Sequence, residues 1–257
     1  MGLRVNTNIF SMTAQRNLGV ATDRLQGNYA KLSSGMRIAT AADDAAGLGV
    51  SERMRSQIRS YGANLRNTQD AVSLAQTAEG ALNEVSGNLA RMRELAIQAS
   101  NGTLSDTDRA IIDTEFQALV SEIDRISGET EFNGIALLDG SSTSVDMQVG
   151  LDSGDTISVD LQDVSTSTLG LTSTNVSTSS GATAALADID AAIDDINTTR
   201  GDLGAVQNRL MSAFRSITNT RENLSAAESR IRDVDVAQET ADLSRNTIMQ
   251  QAAVAVL

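Results

Sequence analysis

The sequence predicts a mainly α fold: a long antiparallel coiled-coil or helical-bundle rod with a small β-hairpin region at the turnaround. Three observations carry this reading. The 257 residues include no proline, so nothing removes a backbone donor from a long helix or clashes with its preceding turn. Aromatic residues are 2% of the chain while 40% of residues are hydrophobic. The core must therefore be aliphatic and alanine-rich, a composition that favours helix. Two stretches far apart in the chain carry sustained seven-residue apolar repeats, as helices do when each buries a seam against a partner.

The elements follow in order. Leu18, Ala21, Leu25, Tyr29 and Leu32 recur at three- and four-residue spacing. They predict a first helix that begins between Asn8 and Thr13 and stops at Gly35, a glycine suited to a left-handed cap. Residues 40–50 are small and turn-like. A second helix is predicted over 48–100. Met54, Ile58, Tyr61, Leu65, Thr68, Val72 and Ala75 alternate steps of four and three. After one slip, Ala78, Leu82, Val85, Leu89, Met92, Ala96 and Ala99 do the same. The stripe over 54–99 corresponds to about 69 Å of helix, which cannot bury its seam alone.

Ser105 with Asp108 forms a capping-box pattern. Ile112, Phe116, Leu119, Ile123 and Ile126 then predict a third helix over 105–127, ended by Gly128 and folded back antiparallel to the second. Residues 130–171 change period. Val145, Met147 and Val149, then Ile157, Val159 and Leu161, alternate with polar residues around a loop from Gly150 to Asp155, which predicts a β-hairpin. The Ser- and Thr-rich segment 165–184 reads as a surface loop. The returning helix is predicted over 186–233, with Ile189, Ile196, Leu203, Leu210, Ile217, Leu224 and Ile231 at every seventh position. Ala192, Thr199, Val206, Ala213, Thr220, Ala227 and Val234 stand between them. These rows form the helix-packing seam and match the 54–99 stripe in length. Val236, Leu243, Gln250 and Leu257 carry a weaker stripe to the end of the chain.

Composition excludes much chemistry. There is no Cys and no His, which removes disulfides, thiol nucleophiles, Ser-His-Asp triads and the commonest metal ligand. A net charge of −13 argues against nucleic acid or anionic lipid as the main partner. Residues 1–66 carry nine cations against four carboxylates, whereas 67–185 carry four against 18. That distribution reads as packed ends and a solvated middle. The N-terminus lacks the apolar run of a secretory signal, and no stretch is long and apolar enough for a membrane span. Asp43-Asp44 and Asp194-Asp195 are read as structural, because adjacent residues on a helix do not face each other. Asp152 to Asp155 lacks the spacing of a calcium loop and is read as a plain turn. Arg53, Arg55, Arg59 and Arg66 flank an apolar seam without interleaved aromatics apart from Tyr61, and read as a solvated or subunit-facing helix side. No catalytic, cofactor or metal site is predicted.

Several long motifs resemble bacterial flagellin. Ser33-Ser34-Gly35-Met36-Arg37-Ile38 followed by Asp43-Asp44-Ala45-Ala46-Gly47-Leu48 is similar to that family's N-terminal fingerprint, as is Ala75 to Glu84. Arg91 to Ala96, Glu122 to Arg125 and Phe132-Asn133-Gly134 match too. So do Leu203 to Arg209 and Ser229-Arg230-Ile231 on the return side. The resemblance implies a structural subunit that polymerises into the flagellar filament for motility. It implies export by the flagellar apparatus to the extracellular flagellum, without a cleaved signal peptide. An inner domain of terminal helices would comprise 1–43 with 234–257, paired as a coiled coil on assembly, and a rod domain would comprise 44–233. The middle of the chain has only the 165–184 loop where the family often carries outer domains, so this reads as a short, core-only form. The family usually continues beyond a match to Gln250-Gln251-Ala252, so the C-terminus reads as truncated.

The resemblance also implies partners: other copies of the chain, a flagellar export chaperone, cap and junction proteins, and the innate Toll-like flagellin receptor. The family's receptor contacts match at Arg91, Leu95 and Glu115. Arg91 and Leu95 are four apart and share one helix face, off the Leu89, Met92 and Ala96 seam. That face is expected to be available, with Glu115 beside it from the back-folded helix. The alternative is a minor axial component such as the hook–filament junction protein, which shares the two-ended helical plan. A carboxylate-based enzyme is the third class, to be revived by a deep pocket of perturbed acids.

Overall fold

The computed structural model of the chain describes residues 8–256. Among them are five helices: α1 (Ile9–Ser34), α2 (Ala45–Ser100), α3 (Asp106–Glu129), α4 (Ser179–Arg232) and α5 (Val236–Val256). Four short strands, β1 (Glu131–Phe132), β2 (Ile135–Ala136), β3 (Ser144–Gln148) and β4 (Thr156–Asp160), form two separate antiparallel pairs in chain order. The mainly α class with a small β region is the one observed. The chain divides into two compact units. One is Tyr61–Asn219; the other holds the residues up to Ser60 and from Thr220 onward.

In the Tyr61–Asn219 unit the two long seams pack antiparallel. Arg93 of α2 bonds Asp190 of α4, and Gln207 of α4 bonds Glu79 of α2, so numbers rise on one helix as they fall on the other. Leu82, Val85, Leu89, Met92, Ala96 and Ala99 share one buried cluster with Ile189, Ala192, Ile196 and Leu203. Leu210 joins Ala71 in a second. A fully buried aliphatic side chain of this size is worth about 1.5–3 kcal/mol relative to exposure. At the slip in the α2 stripe, Leu74 and Ala75 are both fully buried, so the seam moves to a neighbouring row without a break in the helix.

Helix α3 folds back along α2. Ser105 caps it, its hydroxyl accepting the Asp108 N–H while the Asp108 carboxylate accepts the Ser105 N–H. Buried Arg109 donates from Nε to the Ala99 carbonyl at 2.8 Å and from Nη2 to the Asn101 carbonyl at 2.9 Å. It thereby satisfies carbonyls that the α2 C-terminus leaves free. α3 continues one residue past the predicted stop, to Glu129, because a glycine weakens a packed helix without ending it. The β1–β2 turn is Asn133-Gly134, with φ of 52° and 78°, the backbone of a two-residue hairpin.

The β3–β4 hairpin has the predicted alternation, with Val145 opposite Val159 and Met147 opposite Ile157. Its place differs from the expectation. The chain reverses at 101–105 and again just before α4, where the Ser179 hydroxyl donates to the Ser100 carbonyl. The hairpin loop lies instead beside Asn64 and Asn67. Asn64 Nδ2 donates to the carbonyls of Val149 and Gly150, and Asn67 Nδ2 to that of Gln148. This is roughly 54 Å of helix back from Ser100. The reason is coverage. α3 has 24 residues against 56 in α2, so apolar surface around Ala71 and Val72 needs another cover.

Segment 165–178 corrects the surface-loop expectation. Thr166, Leu169, Leu171, Thr174 and Val176 are buried. Helix α3 holds the segment: Asp124 accepts the Thr166 N–H and hydroxyl, Gln117 Nε2 donates to the Thr174 carbonyl, and Asp113 accepts the Val176 N–H. A polar segment can be buried when its groups find such partners. α4 accordingly starts at Ser179 rather than 186.

In the other unit α1 and α5 pair antiparallel. Asn8 caps α1, within the predicted start range, and Gly35, at φ 71°, closes it as the sequence predicts. The connection after Gly35 runs beside the α4–α5 junction, with the Arg37 N–H bonded to the Arg232 carbonyl and the Val234 N–H to that of Gly35. Helix α2 begins at Ala45, inside the stretch read as a turn, because Asp44 accepts the Gly47 N–H and opens the helix. The terminal seam keeps the expected Leu18, Ala21, Leu25, Leu32, Leu243 and Gln250 at least partly buried and departs from the expectation at Tyr29 and Val236. Ala21, Leu25 and Asn28 are buried, while Tyr29 is 56% exposed. On α5 the inward row is Glu239, Leu243, Asn246, Gln250 and Ala253, and Val236 is exposed. Leu257 lies outside the described residues. A search for apolar periodicity misses a seam whose central positions are asparagines. Leu224 and Ile231 of α4 are only half-buried.

Leu210→Asp should destabilise the protein by about 3–5 kcal/mol, since it places an unpaired charge in the seam; an unchanged thermal midpoint would refute the α2–α4 pairing. The pH dependence should also be one-sided. With no His, no side chain has an ordinary pKa near neutrality. Glu52 is held below its ordinary 4.5 mainly by the Arg232 hydrogen bond, and Asp190 below 3.8 by Arg93. Asp43 is lowered by the Thr40 N–H and Asp108 by the Ser105 hydroxyl. Lowered carboxylates contribute stability above their ordinary values and lose it as pH falls through the folded ones. Thermal midpoints should therefore be flat from about pH 5.5 to 7.5 and drop below about pH 4.

Candidate protein-interaction site

Arg91 lies on α2 and Glu115 on α3, and the antiparallel packing of the two helices brings them together. Arg91 donates from Nε to Glu115 Oε1 at 2.9 Å, and its Nη2 is 2.8 Å from the same oxygen. Nη1 pairs with Glu94 Oε2 at 2.9 Å, three residues along α2. These bonds, first from Glu94 and then from Glu115, raise the Arg91 pKa above its already high value, so its charge is permanent. All three side chains are about half exposed or more. An exposed cluster of this kind adds little stability, but it presents an oriented guanidinium with unfilled donor capacity.

Leu95 does not join that face. It is 2% exposed and belongs to the main buried cluster, which corrects the expectation that it stands free beside Arg91. Helix α2 has α3 on one side and α4 on another. Its buried stripe therefore widens beyond the two rows of a simple seam and takes in the flanking position. The exposed apolar side chains of this region are Ile97 on α2, three residues after Glu94, and Ile111 on α3, four before Glu115. Those spacings put each on the same helix face as its acidic neighbour. Neither was singled out from sequence. Their signal was available, since both are large aliphatics off the seam.

Four of the remaining candidates, Asp43, Asp44, Asp155 and Arg55, make contacts within the chain. Asp43 accepts the N–H groups of Ala39 and Thr40, and Asp44 opens α2. Asp155 receives the Asp152 N–H across the hairpin loop. Arg55 pairs with Glu52. Among the described residues no group of three or more acidic side chains is placed to hold a metal ion, and no helix is long and apolar enough to cross a membrane. One ion pair was not read from sequence: Arg93 Nε bonds Asp190 Oδ1 at 2.7 Å and ties α2 to α4.

Comparison with known proteins bears on both ends of the chain. Residues 5–143 match the bacterial flagellin N-terminal helical region, and residues 186–257 match the bacterial flagellin C-terminal helical region. A flagellin of Halalkalibacterium halodurans is 46% identical over 98% of this chain and 94% of its own length. A flagellin of Bacillus subtilis is 40% identical over 99% and 95%. The crystal structure of Bacillus cereus flagellin superposes with a TM-score of 0.55 at 39% identity, covering 63% of this chain and 94% of that one. Two end-matched helical regions, carried by the same antiparallel helices that bury the seams, show that the chain belongs to the bacterial flagellin family.

Proposed function

We infer that the chain is a structural subunit that polymerises into the bacterial flagellar filament, outside the cell, and serves motility. The observation that carries this reading is the match of both terminal helical regions to flagellin over nearly the whole chain. The packing supports it physically. The pair of α1 and α5 leaves Ile9, Phe10, Met12, Val20, Ile248 and Val254 at least half exposed, more apolar surface than a solitary helix pair keeps in water. Residues 1–43 with 234–257 are read as the filament's inner domain and 44–233 as its rod domain. An export chaperone and cap and junction proteins are the further partners this role requires. Phe10→Asp and Ile248→Asp change exposed positions, so helix content should stay the same. Incorporation into filaments, measured by sedimentation and electron microscopy, should fall at least about tenfold, the loss of one interface anchor. Incorporation equal to the parent's would remove the inner-domain reading. Assembly of a few copies at a junction, rather than a long polymer, would favour the minor axial component.

The free subunit is also read as a ligand of the Toll-like flagellin receptor, through the face bearing Arg91 and Glu115. Burial of Leu95 changes how this is tested. Arg91→Ala should leave the thermal midpoint nearly unchanged and cut receptor-reporter activity about ten- to hundredfold, as for an interface hot spot. Leu95→Ala should instead cost about 2–5 kcal/mol of stability. Its activity at a temperature where it remains folded should stay near the parent's. Undiminished signalling by Arg91→Ala, or none from the parent chain, would dismiss this site.

A further inference from the structure

The seam between α1 and α5 contains one polar layer. Asn28 and Asn246 are both 8% exposed. Asn246 Nδ2 donates to Asn28 Oδ1 at 2.8 Å, and Asn28 Nδ2 donates to Glu239 Oε1 at 2.6 Å. The three side chains come from both helices and satisfy one another; the other inward positions include Leu18, Ala21 and Leu25 of α1 and Leu243, Gln250 and Ala253 of α5.

The rest of that seam gives little information about alignment. On α1 the inward positions Ala14, Leu18, Ala21 and Leu25 repeat alanine and leucine with a period of seven. Sliding α5 by one heptad would again set the same residue types opposite it. Aliphatic burial is nearly indifferent to such a slip, because it depends on area and not direction. The asparagines are not indifferent. After the slip that sets Ala21 opposite Leu243, Asn246 would face Leu18 and the two amides would part, which is costly for buried polar groups. A single buried asparagine is known to fix register in coiled coils in this way.

We propose that the Asn28–Asn246–Glu239 layer is the register key of the terminal helix pair: it selects the one antiparallel alignment of α1 on α5 and rejects heptad-slipped ones. The Met36–Asp233 bridge anchors the base of the pair, and the layer carries the same alignment outward along the helices. The proposal rests on the geometry of the pair alone, so it stands or fails independently of filament assembly.

Disulfide trapping in the full chain tests it. The protein has no native cysteine, so every disulfide reports an engineered pair. In the alignment set by the bridge and the polar layer, Ala21 falls opposite Gln250; slipped by one heptad, it falls opposite Leu243. With the asparagines present, Ala21→Cys/Gln250→Cys should oxidise within the monomer at least about tenfold faster than Ala21→Cys/Leu243→Cys. Adding Asn28→Leu and Asn246→Leu should bring the two rates within about threefold, with helix content by circular dichroism kept or raised, because leucine suits a seam position. A retained tenfold preference in the leucine background would overturn the proposal and leave alignment to the bridge. Equal rates with the asparagines present would overturn it as well, as would loss of helix in the leucine background.

Discussion

The aliphatic seam between α2 and α4 is the constraint on which the Tyr61–Asn219 unit depends. Helices of 56 and 54 residues have little reason to persist in water by propensity alone; tertiary burial of a continuous stripe is what sustains them. With almost no aromatic residues available, that burial is assembled from many Leu, Ile, Val and Ala side chains of modest size. On α4 large aliphatic positions alternate with alanine, threonine or valine, which lets the backbones approach closely. α3, the β3–β4 hairpin and segment 165–178 are then covers for apolar surface that one partner helix leaves open on α2 and α4.

Polar chemistry decides where those covers attach. Asn64 and Asn67 hold the hairpin through backbone carbonyls. Asp113, Gln117 and Asp124 of α3 hold the 165–178 segment. Arg109 closes the α2–α3 turn. Among the described residues no fully buried side-chain nitrogen or oxygen lacks a partner, so these contacts specify position at no desolvation deficit. Exposure separates these fasteners from the polar cluster on α2 and α3. Buried polar groups with their partners inside the unit are fasteners, whereas Arg91, Glu94 and Glu115, bonded to one another, form an exposed cluster that contributes little to stability.

The helices, their order and most of their ends were legible because each depends on local rules: capping by Ser105, the left-handed position at Gly35, and a seven-residue repeat. The exposed Arg91–Glu115 pair was legible too, since both residues lie off their seams and the back-folded α3 brings them together. Leu95 was not, because its burial depends on how many neighbours α2 has, and a one-dimensional stripe does not count neighbours. The seam that apolar periodicity draws through Tyr29 and Val236 misplaces both, which are exposed, for a related reason. Apolar periodicity assumes that inward positions are apolar, and here Asn28 and Asn246 are inward because each supplies the other's hydrogen bond from more than 200 residues away.

The sequence by itself therefore determined that this chain makes long paired helices with an aliphatic seam and a short hairpin, since helical period and strand alternation are properties of neighbouring residues. It also determined the family, through long motifs at both ends. Only the tertiary structure decided that the hairpin lies along α2 beside Asn64, that a Ser- and Thr-rich segment is buried against α3, and that Leu95 is core. Each of these depends on which surfaces remain uncovered after the helices pack and on which distant polar groups then meet. That information resides in three-dimensional contacts and not in the spacing of residues along the chain.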